Sequence, residues 1–389
     1  MMKANRARGT NRWVLLSLAS MLAACQTAIR LNSTQHEYSG QIIRNGNVEC
    51  FTEEFMKAQT KPPRCEISAV EFIDKKFIFG SDKDIPSKSS IFSFTSSISF
   101  PSGLPEAFLT SPKILNATKF EAMAKIREDS ITLASTGFDR TKPDGSWDRF
   151  NNLLAWRASD PDKVQVILTE PREDAKSSVE LRDIFRAALK QAEYPMGPPY
   201  FKVEGMAYLP GGIILFGVRE TGARYDDFQY HRWILAGKLR GQFPTLTLGP
   251  QLKTILDFSA LKTPGISESL GISSIAFDPI RDGIWILTSY ETEATDEGLG
   301  AYLWFISRSE LLNDSDIPPQ LIRTPSGVPL HFAHKSEGLA VLEDGRLFVV
   351  HDDDRVTGRK VVEDSRRQFS RKLNESFYSV VEVSKISPQ

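Results

Sequence analysis

Paired apolar runs, joined by turn residues and followed by a third, aromatic-rich run, recur five times along the chain. The clearest copy begins at Lys335: residues 337–342 form one apolar run, Glu343-Asp344-Gly345 is a tight turn, and residues 347–350 form a second run rich in β-branched side chains. An Asp-Gly turn between two such runs specifies a β-hairpin, because glycine accepts the positive φ that the turn demands. Degraded copies lie at residues 64–69 with 77–82, 119–124 with 131–135, 202–207 with 213–219 and 271–276 with 284–290. The third runs fall at 91–94, 153–156, 232–235, 302–305 and 377–381.

A repeated three- or four-strand unit that cannot bury both its faces alone predicts an all-β fold, a β-propeller in which neighbouring blades cover one another. Five repeat units favour five blades. A sixth remains open in the insertions at 95–120 or 157–200. An isolated strand at 37–43 is expected to close the ring by pairing with 377–383, since an open ring leaves two strand edges exposed. Within the longest insertion, Ser177 and Glu180 have capping-box spacing ahead of Leu181, Ile184, Phe185, Ala188 and Leu189, which predicts one inserted amphipathic helix. The Pro-rich tract at 194–199 ends it, and the charged stretch 353–375 reads as an exposed excursion inside the last blade.

The amino terminus changes the picture. Lys3, Arg6, Arg8 and Arg12 precede a short apolar stretch at 13–22, the pattern of a secretory signal and too short for a membrane span. Leu22-Ala-Ala-Cys25 resembles the lipobox of bacterial lipoproteins. The resemblance implies a signal peptide at 1–24, lipidation of Cys25, a lipidated tether at 25–36 and a single propeller domain at 37–389. Gln26, in place of an aspartate, favours the outer membrane; the membrane, through the lipid, is one expected partner. The alternative is an ordinary signal peptide cut near Ala24. Cys50 and Cys65 form an even pair in an exported chain, open to a disulfide or to two buried thiols. Formal charge is −1 and falls to about −5 without the four basic leader residues, so no nucleic-acid partner is expected. A monomer is expected.

The repeats also align charges. Arg64/Glu66, Lys119/Glu121, Lys202/Glu204 and Lys335/Glu337 each sit two apart, hence on one face of a strand. If these strands are innermost, the pairs stack as a basic and an acidic ring around the channel, with a gap in both rings at the fourth copy, Gly271-Ile-Ser273. The ends of the second strands bring Asp82, Arg219, Glu220, Glu291 and Asp352, Asp353 and Asp354 to the same rim. One reading is a structural ion-pair network. The other is a binding site, in which Glu66, Glu121, Glu204 and Glu337 hold a hard cation such as calcium, while Arg64, Lys119, Lys202, Lys335 and Arg219, with Asp352 and Asp353, face a small-molecule or anionic ligand. His331, His334 and His351 fall at the same mouth; His334 and His351 are candidate metal ligands, with an acid/base centre or plain rim hydrogen bonding as alternatives. Known nucleophile-elbow, zinc-helix and phosphate-loop signatures are absent, and no catalytic residue is assigned.

Glu204-Gly-Met-Ala207 and Glu337-Gly-Leu-Ala340, with Asp344-Gly-Arg-Leu347 and the trailing Asp352-Asp353, resemble the bacterial phytase-like (esterase-like) β-propellers and their relatives of unknown function, across roughly residues 60–385. That resemblance implies hydrolysis of phosphate or carboxylic esters. A ligand-binding envelope lipoprotein, a phytase-like hydrolase and a non-catalytic envelope scaffold are the three functional readings.

Overall fold

The computed structural model describes residues 38–95, 100–292, 298–313, 317–353, 360–364 and 367–386; the leader, Cys25, the tether and Asp354 lie outside the described residues. Five sheets of four or five strands follow one another, and each contributes its first strand to the centre: Ile67–Ile73, Phe120–Ile126, Tyr200–Leu209, Gly271–Asp278 and Ser336–Val341. Each of these strands lies against the first strand of the next sheet, and the fifth returns to the first, so the ring closes with five blades, here I to V. Among the described residues no sixth blade forms in the insertions. Residues 95–120 supply the short outer strand Ala107–Phe108 and a helical turn, and 157–200 supply the outer strand Asp160–Val166 and the helix Leu181–Ala188.

Ring closure follows the expected pairing. Tyr38–Glu49 is the outermost strand of blade V, antiparallel to Glu375–Lys385, with Tyr38 opposite Lys385 and Ile42 opposite Val381. Cys50 and Cys65 are joined by a disulfide with Cα atoms 5.5 Å apart, which ties the end of that closing strand to the entry of blade I. Beside it, the amides of Cys50 and Cys65 donate to the carbonyls of Asn374 and Leu373.

The cores lie between blades. Phe77, Phe79 and Phe92 of blade I pack with Phe348 and Tyr378 of blade V, and Tyr38 sits edge-on to Trp285 and Phe305 of blade IV. The Glu-Gly pairs of the repeat have a packing cause. A Cβ on Gly338 would meet the Val70 backbone nitrogen at 3.1 Å, and one on Gly205 would meet the Ile275 nitrogen at 3.2 Å, so glycine lets neighbouring inner strands approach closely.

The inserted helix forms, with Leu181 and Phe185 buried between blades II and III. Its capping box does not. Glu180 is the N-cap and makes no side-chain cap bond; its carboxylate pairs with Arg172, and Ser178 gives its hydroxyl to the blade II carbonyl of Ile167. Within the excursion of blade V, Lys360–Asp364 and Arg367–Ser370 form a separate hairpin.

Closure predicts that Tyr38→Ala costs about 3 kcal/mol, the usual loss for a buried aromatic, read as a lower denaturant midpoint with an unchanged slope.

Candidate functional site

On every innermost strand the ladder to the second strand slips by one residue at the same place, leaving Ser68, Glu121, Glu204, Ser273 and Glu337 as the extra residue. A bulge bends the strand and re-aims the side chain that it carries. Radial repetition then places these five residues at equivalent positions near one mouth of the channel. The sequence register of blade I was therefore wrong by two. Ser68, not Glu66, holds the glutamate position, and Glu66 lies in the layer of Lys119, Lys202 and Lys335, because the bulge sets the register and the basic-x-acidic spacing does not.

Each remaining glutamate is paired with a cation of its own blade, and further polar contacts cross the seams. Lys202 reaches Glu121 of blade II at 3.2 Å and also pairs with its own Glu204. Lys119 lies 3.4 Å from Glu121, and Lys335 lies 2.8 Å from Glu337 and 3.5 Å from Glu291 of blade IV. Ser68 donates to Glu337 across the I–V seam at 2.8 Å.

The expected gap at the fourth copy is filled. Arg219 crosses from blade III, 3.1 Å from Glu204 and 3.3 Å from Glu220, and donates to Ser289 of blade IV at 2.7 Å. A Cβ on Gly271 would meet Arg219 Cγ at 2.7 Å, so the missing lysine of blade IV is the space this guanidinium stem occupies. Arg219 is only 2% exposed and closes the gap expected at the fourth copy.

Burial works against every charge here, and neighbours decide the outcome. It is outweighed at Lys202 by Glu121 and Glu204, and at Lys335 by Glu337 and Asp352, so both ammonium groups are held above their ordinary range. At Glu337, burial is overcome by Lys335, Lys202 and Arg219, and the pKa falls to about 2. At Glu204, burial prevails over Arg219 and Lys202, with Glu121 and Glu337 adding to it, and the pKa rises to about 7.

Above this layer is an acidic cluster. Glu66, Asp82 and Asp352 each present an oxygen within 4.8 Å of the others. Lys83 stands among them, 2.6 Å from Glu66 and 2.7 Å from Asp82, with its side chain 47% exposed while Glu66 is buried. Burial first, then Glu337 and Glu66, drive the Asp352 carboxyl well above the carboxylate range despite Lys335. Three carboxylates are oxygen donors of the kind hard cations take, and the ammonium of Lys83 fills a cation's place. Arg64 lies at the edge, 3.9 Å from Glu66.

The histidines do not join this cluster. Asp353 accepts from the Lys335 amide and pairs with His334 Nδ1 at 2.8 Å, while His351 is hydrogen-bonded at both ring nitrogens, to the Ser336 and Ser379 hydroxyls. Glu121, Glu204 and Glu337 lie in the ion-pair layer beneath it.

Several site residues carried no repeat signal, namely Lys83, Ser68, Asp139 and Arg140. Lys119, at φ +65°, bonds Asp139 at 2.7 Å, and Arg140 clamps the same carboxylate. Burial opposes the Asp139 charge, but Lys119 and Arg140 hold its pKa below the carboxylate range. A charged pair at the end of the second strand, Asp82-Lys83 or Asp139-Arg140, was the available clue. Among the described residues of this cluster and of the ion-pair layer, carboxylates outnumber lysines and arginines.

The opposite mouth is a funnel lined by all five blades, among them Glu71, Lys125, Tyr208, Phe277 and Val341. Its buried ammonium, Lys125, is taken up by Glu71 Oε1 and by the carbonyls of Phe72 and Val341. The concentration of interacting charge, and so the candidate chemistry, is at the other end.

No protein-family model matches the chain, and no curated protein matches it. Among solved structures, it is similar to a glucose dehydrogenase, at 10% identity and a TM-score of 0.40 over 90% of this chain and 100% of that one. A GH43 β1,3-galactosidase gives 12% identity and 0.43, over 87% and 94%. An α-L-arabinanase of Penicillium chrysogenum gives 9% and 0.42, over 87% and 98%. Likeness at this level bears on neither activity nor ligand.

Lys202→Met removes the cation shared by two buried carboxylates and is expected to cost about 3–5 kcal/mol, measured by denaturant unfolding. The depressed pKa of Glu337 gives a contribution present above about pH 4.5 and lost as pH falls toward about 2. Glu337→Gln should therefore flatten the acid limb of a stability-against-pH curve, and an unchanged limb would refute the assignment.

Proposed function

We propose that this chain is a lipid-anchored envelope protein whose propeller binds a ligand at the charged mouth, with a hard divalent cation, calcium in the first instance, held by Glu66, Asp82 and Asp352. The observation that supports it is the half-exposed Lys83 among carboxylates of which Glu66 is buried. A side chain on a flexible stem is displaceable, and a cation arriving there takes over its contacts. Calcium takes about 6–8 oxygens, so water or the oxygens of a ligand complete the shell. The excess of carboxylates favours a cation or a cation-bridged ligand over a bare anion. The ion-pair layer beneath serves as the rigid floor, with Arg219 and Lys202 as positioning residues.

Ester hydrolysis, the reading implied by the phytase-like resemblance, is favoured by one observation. Burial, with Glu337 and Glu66 beside it, raises the Asp352 carboxyl well above the carboxylate range, the direction that a general acid requires. A panel of phosphate and carboxylic esters decides it: turnover lost in Asp352→Asn supports hydrolysis, and no turnover in the wild type leaves binding alone.

Calcium at 100 times its Kd should stabilise the protein by about 2.7 kcal/mol, read as a rise in the unfolding midpoint over chelator-treated protein. Glu66→Gln should abolish the rise, and Lys83→Met should lower the calcium concentration needed for it. Identical melting with calcium and with chelator would refute the cation site and favour the scaffold reading.

The anchor is tested separately. Cys25→Ala should leave the membrane fraction, and its retention there after a high-salt wash would refute lipidation.

A further inference from the structure

We infer that the propeller stands on the membrane by its hairpin-turn face, with the charged mouth turned away, so that the ligand reaches the mouth from water and is a soluble molecule. This rests on the lipid-anchor reading of Cys25.

The direction of the closing strand carries the inference. In blade V the ladder runs from Ser336 opposite His351, at the charged mouth, to Val341 opposite Leu347, at the turn. Leu347 pairs with Val381, Val381 lies opposite Ile42, and four positions further along Lys385 lies opposite Tyr38. The chain therefore enters the fold at the turn face, beyond the level of Val341, and runs toward the mouth to reach Glu49 opposite Glu375.

Covalent geometry then limits the arrangement. Thirteen Cα steps separate Cys25 from Tyr38, a reach of at most about 47 Å at ~3.6 Å each. The 12-residue strand Tyr38–Glu49 itself covers about 40 Å at ~3.3 Å per residue. To bring the mouth to the bilayer, the linker would have to run back almost straight along the full height of blade V, at its extreme extension. Standing on the turn face needs no such extension.

Charge does not separate the two ends, because the hairpin turns expose Asp74, Glu128, Asp129, Asp282, Glu343 and Asp344 against Lys75 and Arg127, and are acidic too. Apolar exposure does not separate them either, because Ile280 on the turn face is 59% exposed and Tyr225, on the hairpin that overhangs the mouth, is 72% exposed. The reach of the linker orients the molecule.

The test uses the chain from Cys25 onward, which contains every strand of the propeller, coupled through the Cys25 thiol to a maleimide lipid in vesicles containing phosphatidylglycerol. A genetically encoded fluorophore replaces Ile280 in one preparation and Tyr225 in another, and energy transfer to an acceptor lipid is measured. Transfer from position 280 should exceed that from 225 at least twofold. Equal transfer, or more from 225, overturns the inference. Because the coupling is chemical, this result is independent of whether cells lipidate Cys25, which the fractionation of Cys25→Ala reads by itself.

Discussion

Charge placed on the axis of a closed ring must be neutralised inside the ring, and this constraint organises the molecule. Five innermost strands converge, each with a bulge at the same level, and three of the five bulge residues are glutamates. Buried carboxylates are tolerable only when paired. Most of the pairs lie within a blade, as with Lys335 and Glu337 or Arg219 and Glu204, and further polar contacts cross the seams: Lys202 with Glu121, Glu291 with Lys335, Ser68 with Glu337, and Arg219 with Ser289. The charged layer is therefore also tied across the II–III, III–IV, IV–V and V–I seams.

The two exceptions in the ring are informative. Where blade I has serine in place of glutamate, it has glutamate in place of lysine, and the compensating cation comes from the end of its second strand as Lys83. Where blade IV has neither charge, Arg219 of the preceding blade fills the volume. The first substitution leaves an acid-rich rim with a movable ammonium, whereas the second leaves a sealed wall. Chemistry is therefore favoured at the I–V side of the mouth and not at blade IV.

How much of this was legible follows from the range of each interaction. Hairpins, blade number and the closing strand are written in local periodicity and turn residues, and the inserted helix in its apolar spacing. The charged layer was legible as far as Lys119, Lys202 and Lys335 with their glutamates. Glu66 was misplaced because a bulge is a property of the pairing between two strands and leaves no mark in one-dimensional spacing. Arg219 and Ser289 are 70 residues apart and meet only through packing. Glu180 was taken as the partner of Ser177 in a capping box, but the helix begins at Leu181, so Glu180 is itself the N-cap and its carboxylate pairs with Arg172.

Ring closure also has a kinetic meaning. The strand that completes blade V, Tyr38–Glu49, precedes all the others in the chain, and its partner Glu375–Lys385 follows all the others. Contacts of such sequence separation form slowly, because loop-closure entropy is spent before they return any stability. During synthesis the first strand waits, unpaired, until nearly the whole chain has emerged. A protein built this way stays open for as long as its carboxyl end is withheld, and it locks only once its two ends have met.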